Sequence, residues 1–324
     1  MQALTEFFER TGAFHILVIG DVMLDRYIRG KVDRISPEAP VPVLLWQSTE
    51  DRLGGAANVA LNVKRLGARV SLAGMVGDDR SGHTMRRILE AEGIAHPHLL
   101  TTPMATTVKT RVIGGHQHLL RIDEEETGEI SEVLAQELIS RLSADFTRDL
   151  PDAIILQDYN KGFLTRHMID AIFALAKAYD VPVAVDPKDA NFFAFRGAAI
   201  FKPNLRELRA KVPFPVDVTP EALIRASEEI NASLKSTLTA VTLSEHGIYL
   251  SLHGESGCYP TRVRTVVDVC GAGDAVISVI TLAYLMNVSQ KQMAELANTA
   301  GGVVCGEVGV CPVNVDKMRA ELKV

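Results

Sequence analysis

The sequence predicts an α/β fold: a mostly parallel central sheet with helices on both faces, plus a small protruding β-sheet lid. Three observations predict it. From residue 131 onward helix and strand patterns alternate, which is how a parallel sheet covered on both faces is built. The opening strand pattern, residues 14–20, is a continuous apolar run ending in Gly-Asp, as a strand buried on both faces requires. Residues 26–47 and 106–123 instead read as strands broken by prolines and glycines, which belong at edges or outside the core.

The first strand delivers Asp21 at its C-terminal end, the edge where open parallel sheets bind ligands. Its carboxylate suits sugar hydroxyls, and equally a turn cap. Residues 27–32 and 41–46 form two short strands of a flap, flanking the loop that carries Arg34 and Ser36. Those two side chains are candidate phosphate donors, although surface arginines are usually solvated. Gly54 and Gly55 then lead straight into a helix over 57–66 that stops at Gly67. The glycines would let a ligand approach the backbone, and Asn58 offers a donor and an acceptor to a polyol. A tight strand-to-helix connection explains the same residues.

A strand over 69–76 and a helix over 81–92 follow. Residues 106–112 and 119–123 form a hairpin of the same flap around Gly114-Gly115. His116 and His118 lie in its turn without a third metal ligand and are read as loop residues. Helices to about residue 145 and over 165–179 alternate with strands over 153–157, 181–185 and 198–201. The strand ends deliver Asp158-Tyr159-Asn160-Lys161-Gly162, Asp186-Pro187-Lys188 and Lys202-Pro203-Asn204-Leu205-Arg206-Glu207 to the ligand edge. Lys161 and Lys188 are candidates for neutralising phosphate charge. Asn204 and Glu207, three apart on an opening helix, suit the water shell of a magnesium ion, and equally a reciprocal helix cap. Residues 238–243 and 248–252 make a strand-turn-strand excursion.

The most informative stretch comes last. A β-branched run over 266–269 reads as a short strand, followed by Cys270-Gly271-Ala272-Gly273-Asp274 and an apolar helix over 275–286. Helix-opening amides lack intrahelical partners, so with Gly271 and Gly273 keeping side chains away they can converge on a phosphate. Asp274 stands at the mouth of that turn, placed to take the proton of an attacking hydroxyl. A plain helix start with Asp274 against the dipole fits these residues too. A helix over 289–304 contains Asn298. No repeat or linker divides the chain, so residues 1–324 read as one domain with a lid at 26–47 and 106–123.

Composition narrows the function. With 47% apolar and 23% charged residues the chain can bury a large core, and a net charge of −6 without a basic block gives no footprint for nucleic acid or anionic lipid. The start lacks a secretory pattern, and the longest apolar stretch is too short for a bilayer, so a cytoplasmic location is expected. Cys258, Cys270, Cys305 and Cys311 lack zinc spacing and are expected as small core residues. No Walker-type sequence occurs, and position 276 is not the third glycine of a dinucleotide fingerprint.

Together, Gly54-Gly55-Ala56-Ala57-Asn58 and Asp268-Val269-Cys270-Gly271-Ala272-Gly273-Asp274 resemble the two signatures of the ribokinase (PfkB) family of sugar kinases, in order and spacing across essentially the whole chain. Within the family, 21–27, 34–43, 158–162 and 186–188 resemble the kinase half of bacterial ADP-heptose synthases. That resemblance implies ATP-dependent phosphorylation of D-glycero-D-manno-heptose 7-phosphate at C1 in the synthesis of lipopolysaccharide, with Mg2+. The same chemistry on another sugar, sugar phosphate or nucleoside is the alternative. By resemblance Asp274 is the catalytic base, Gly271, Ala272 and Gly273 the anion hole, and Asp21, Gly54, Gly55 and Asn58 sugar contacts. Asn204 and Glu207 match a magnesium and phosphate motif, and Ser244, Gly247 and Asn298 nucleotide-binding segments. Asp268 and Cys270 align with a segment that binds a monovalent cation such as K+ in many relatives, where Thr is usual at position 270. The flap matches a lid that in relatives forms a homodimer interface. A chain ending at Val324 is expected to leave adenylyl transfer to another protein.

Overall fold

The structure, a computed structural model, describes residues 2–115, 117–262 and 266–324. In chain order its elements are α1 (Gln2–Arg10), β1 (His15–Gly20), β2 (Val22–Ile35), β3 (Pro42–Gly55), α2 (Ala56–Arg65), β4 (Arg69–Gly77), α3 (Arg80–Ala91), β5 (Ala95–Thr102), β6 (Val108–Gly114) and β7 (Gln117–Glu124). There follow α4 (Glu132–Phe146), β8 (Ala153–Gln157), α5 (Arg166–Ala178), β9 (Val183–Asp186), β10 (Ile200–Phe201), α6 (Leu205–Arg209), α7 (Pro220–Leu234), β11 (Leu238–Thr242), β12 (Ile248–Leu252), β13 (Glu255–Tyr259), α8 (Ala272–Leu285), α9 (Gln290–Cys305) and α10 (Val315–Leu322).

Nine strands form one sheet in the order β13-β12-β11-β10-β9-β8-β1-β4-β5, with only the β12 and β13 edge antiparallel. Its central strands β1, β8, β9 and β10 are buried on every residue, because helices cover both faces. On one side the apolar residues of α2, α8 and α9 pack on the sheet, Leu282 and Leu296 among them. On the other, α4, α5 and α7 contribute Leu138, Ile169 and Ile230. The continuously apolar α8 lies between α2 and α9, which is why it needs no polar face.

The second sheet, in the order β3-β2-β6-β7, is the flap expected from the prolines. Its first two strands are longer than the sequence suggested: β2 and β3 run 14 residues each and rise directly out of the ligand edge, with Val22 opposite Gly55. His118 is exposed on β7, and His116 lies outside the described residues.

One expected strand is absent. Residues 266–269 are irregular, and Val266, Val267 and Val269 are exposed. Instead of a neighbouring strand, the carbonyl of Cys305 at the end of α9 takes the Val267 and Asp268 N–H groups, at 2.8 and 3.2 Å; a β-branched run forms a strand only where another strand offers it a ladder. The helix accordingly opens at Ala272 rather than 275, which puts Asp274 inside its first turn. The cysteines also depart from expectation: all four are free, none is buried, and Cys258 is exposed. No helix among the described residues is long and apolar enough to cross a membrane.

Candidate active site

The C-terminal ends of β1, β8, β9 and β10 and the first turn of α8 meet at one edge of the large sheet. Asp274 is their common point. It is 4% exposed; its Oδ2 accepts the Asn58 amide at 2.7 Å, and its Oδ1 accepts the Tyr159 hydroxyl at 3.1 Å and the Gln157 amide at 3.3 Å. Burial drives its pKa up; the Asn58 and Tyr159 hydrogen bonds and Lys202 oppose this, the Asp186 charge adds to it, and the carboxyl ends at about 7. A group poised there is suited to accept and return a proton near neutrality.

The turn beside it has the expected form. Gly271 caps α8 with φ of +82°, a left-handed conformation that disfavours side chains, and a Cβ there would come within 3.2 Å of Asn58 Nδ2. Among the described residues the Gly271 and Gly273 N–H groups have no protein acceptor, and the Ala272 N–H only reaches Val269 O at 3.4 Å. Below the turn lies a buried ion pair, Lys202 Nζ to Asp186 Oδ2 at 3.0 Å. A Cβ on Gly273 would stand 3.6 Å from that ammonium. The amides of the turn and the Lys202 charge therefore converge on one small region, favourable to an anion.

The lid root closes the other side. Asp25 on β2 pairs with Arg111 on β6, both almost fully buried, and the Arg111 guanidinium reaches Cys270 Sγ at 3.8 Å. Gly54 is required there because a Cβ would fall 2.2 Å from Asp25 Oδ2. Gly55, with φ of +57°, turns β3 into α2 and so brings Asn58 to Asp274.

Several expected residues do other work. The Asp21 carboxylate accepts the N–H groups of Tyr159, Lys161 and Phe163 at 2.7, 3.1 and 3.3 Å and anchors that loop, with Oδ1 taking only the last and keeping an acceptor site for a hydroxyl. Arg34 and Ser36 are not brought to the cluster. Arg34 lies nine residues beyond Asp25 on β2, about 30 Å away at the rise of an extended strand, and Ser36 accepts the Glu38 N–H in the tip loop. Lys161 is ion-paired with Glu125 at 2.6 Å and Lys188 with Glu207 at 2.6 Å. Asn204 and Glu207 form a reciprocal cap on α6, with N–H to oxygen distances of 2.9 and 2.8 Å. Both Glu207 oxygens retain further acceptor sites, so the pair can also hold a hydrated Mg2+.

Asp268 accepts the Cys270 N–H on one oxygen and the Gly309 N–H on the other, each at 3.0 Å, and so ties the 266–270 segment to the loop after α9. Each Asp268 oxygen keeps a further acceptor site beside its N–H donor, so a monovalent cation here would share the carboxylate with these hydrogen bonds. Gly247, with φ of +91°, and Asn298 both bear on residues 259–261, where the Asn298 amide bonds Tyr259 O at 3.0 Å and Pro260 O at 3.3 Å; Ser244 is exposed nearby in the turn after β11. None of the three touches the Asp274 cluster. Among the described residues no group of three or more His, Cys, Asp or Glu side chains could hold a metal by itself.

Sequence reasoning missed Asp25, Lys109, Arg111, Gln157 and Lys202 as site residues. A usable signal existed for the lid residues: in Val108-Lys109-Thr110-Arg111-Val112 charges recur every second position within a β-branched strand, which puts both on one face.

A glycine turn for an anion and a buried proton acceptor at one sheet edge are what phosphoryl transfer to a hydroxyl requires, on a ribokinase-like fold. The chain belongs to the pfkB family of carbohydrate kinases, whose profile matches residues 13–317. It is 40% identical over 309 residues to the bifunctional protein HldE of Methylobacillus flagellatus, covering 95% of this chain but 63% of that protein. The D-beta-D-heptose 7-phosphate kinase of Bordetella bronchiseptica is 39% identical over 97% of both chains. Among solved structures, phosphofructokinase-2 from Escherichia coli in complex with potassium superposes with a TM-score of 0.79 at 18% identity, over 96% of this chain and all of that one, which bears on the fold alone.

Proposed function

We propose that this protein transfers the γ-phosphoryl group of ATP to the C1 hydroxyl of D-glycero-D-manno-heptose 7-phosphate, with Asp274 as general base. The observation that carries the reaction is the Asp274 carboxylate, half-ionised near neutrality and flanked by unpaired turn amides. The acceptor is argued from the end-to-end likeness to a heptose 7-phosphate kinase. Asn58 supports a sugar hydroxyl at this point: its amide N–H holds Asp274, while its buried Oδ1 has no donor. Such a buried acceptor is costly unless a ligand fills it.

In the reaction the acceptor hydroxyl gives its proton to Asp274 as its oxygen bonds to phosphorus and ADP leaves in line. The amides of Gly271, Ala272 and Gly273 stabilise charge on the transferring group, and Lys202 adds its field from beneath. Asn204 and Glu207 would hold the water shell of Mg2+, which neutralises phosphate charge when bound. Ser244, Gly247 and Asn298 take the nucleotide side. The lid excludes water when it closes over the sugar, which suppresses ATP hydrolysis, and its outward face forms the homodimer contact.

A panel of acceptors with Mg-ATP tests the reading. Strong preference for heptose 7-phosphate over fructose 6-phosphate and ribose is expected; a preference for either of the latter two overturns the assignment of the acceptor.

A further inference from the structure

Three lysines surround the loop that carries Tyr159, and two of them are neutralised: Lys161 by Glu125 and Lys188 by Glu207. Lys109 is the exception. Among the described residues it makes no ion pair and no hydrogen bond, although it is half-buried. It pairs across the sheet with Asp25 on β2 and Asp123 on β7, so by strand alternation it shares with Asp25 and Arg111 the lid face turned to the base. Its ammonium stands over one side of the Tyr159 ring at 5.4 Å from the centroid, while that ring's hydroxyl bonds Asp274. Burial and the neighbouring Lys161 charge lower its pKa, against the pull of Asp25, Asp123 and Glu125. A partly desolvated cation beside a second cation is a standing electrostatic cost unless an anion arrives to offset it.

The geometry points to Lys109, with Lys161 beside it, as the subsite for the phosphate that the acceptor sugar already carries, one aromatic ring away from the reacting hydroxyl. This rests on the reading of the acceptor as a sugar phosphate and adds the residue that would make the enzyme demand one. The Lys161 backbone is held by Asp21 and its ammonium by Glu125, so it borders the subsite and leaves Lys109 as the cation without a partner. Arg111 is committed to Asp25 and is not free for the same task.

Lys109→Met removes the charge and keeps the apolar stem against Tyr159; Lys109→Arg restores a charge. Each is assayed with Mg-ATP on heptose 7-phosphate, fructose 6-phosphate and their unphosphorylated sugars, with thermal unfolding to verify folding. Losing a charge-assisted contact should lower the kcat/KM preference for phosphorylated over free sugar by about 10- to 100-fold. The loss should fall mainly on KM for the sugar phosphate, leave KM for ATP within about twofold, and be partly reversed by arginine. A Lys109→Met enzyme that keeps the wild-type preference, or loses phosphorylated and free sugars equally, overturns the assignment of Lys109. Wild-type preference for fructose 6-phosphate would sink the heptose reading while leaving Lys109 testable on that sugar; wild-type preference for free sugars would sink both.

Discussion

At the scale of single residues, the account turns on the ionisation of Asp274. Its raised pKa means that it is protonated, and useless as a base, in acid: kcat/KM should rise about tenfold per pH unit up to about 7 and then level. Tyr159→Phe removes a donor that favours the ionised carboxylate, so the acid limb of the pH–rate profile should move to higher pH. An unmoved limb would remove Tyr159 from the control of the base. Asp274→Asn should lower kcat by roughly 10²–10⁴ with the fold intact by circular dichroism. The Asp25–Arg111 pair makes a different prediction, one of stability. Asp25→Ala strands a buried guanidinium and should cost about 3–5 kcal/mol in urea unfolding, part of which Arg111→Met should restore in the double variant.

Among the elements, the β3–α2 junction is the most constrained. A side chain at Gly55 would have to adopt φ of +57° with its Cβ 2.4 Å from Asp21 O, so Gly55→Ala should lose at least about 1–3 kcal/mol of stability in denaturant unfolding and displace Asn58. Most of the parallel strands, the flap and the glycine turn were legible from local patterns, because apolar runs, prolines and a Gly-Ala-Gly sequence each constrain the backbone where they stand; β5, with its mixed Ala95–Thr102 sequence, was not. What was illegible depends on partners distant in sequence. The valines of 266–269 have strand propensity but meet the end of α9, whereas Asp25 becomes a site residue only because β6 carries Arg111 alongside it. Asp21 stands where expected, and the loop after β8 folds back to donate three N–H groups to it. Helix α7 was overlooked despite a local signal, Thr219 as cap with Pro220 in the first turn.

For the whole molecule, the lid carries two faces with opposite character. One holds Asp25, Lys109 and Arg111 near Asp274; the other exposes Trp46 on one edge strand, β3, and Leu120 and Ile122 on the opposite edge strand, β7, at 67%, 58% and 45%. Exposed apolar side chains across a protruding sheet suit the proposed homodimer contact. Sedimentation should give a dimer for the wild type and a monomer for Trp46→Glu/Leu120→Glu; a dimer surviving both charges would place the contact elsewhere. The central claim concerns what the closed molecule makes. Phosphorus NMR of the product from Mg-ATP and D-glycero-D-manno-heptose 7-phosphate tests it most directly: the account predicts a second sugar phosphate coupled to the anomeric proton and its loss with Asp274→Asn, whereas a phosphate at another carbon, or ADP released without a bisphosphate, would contradict it.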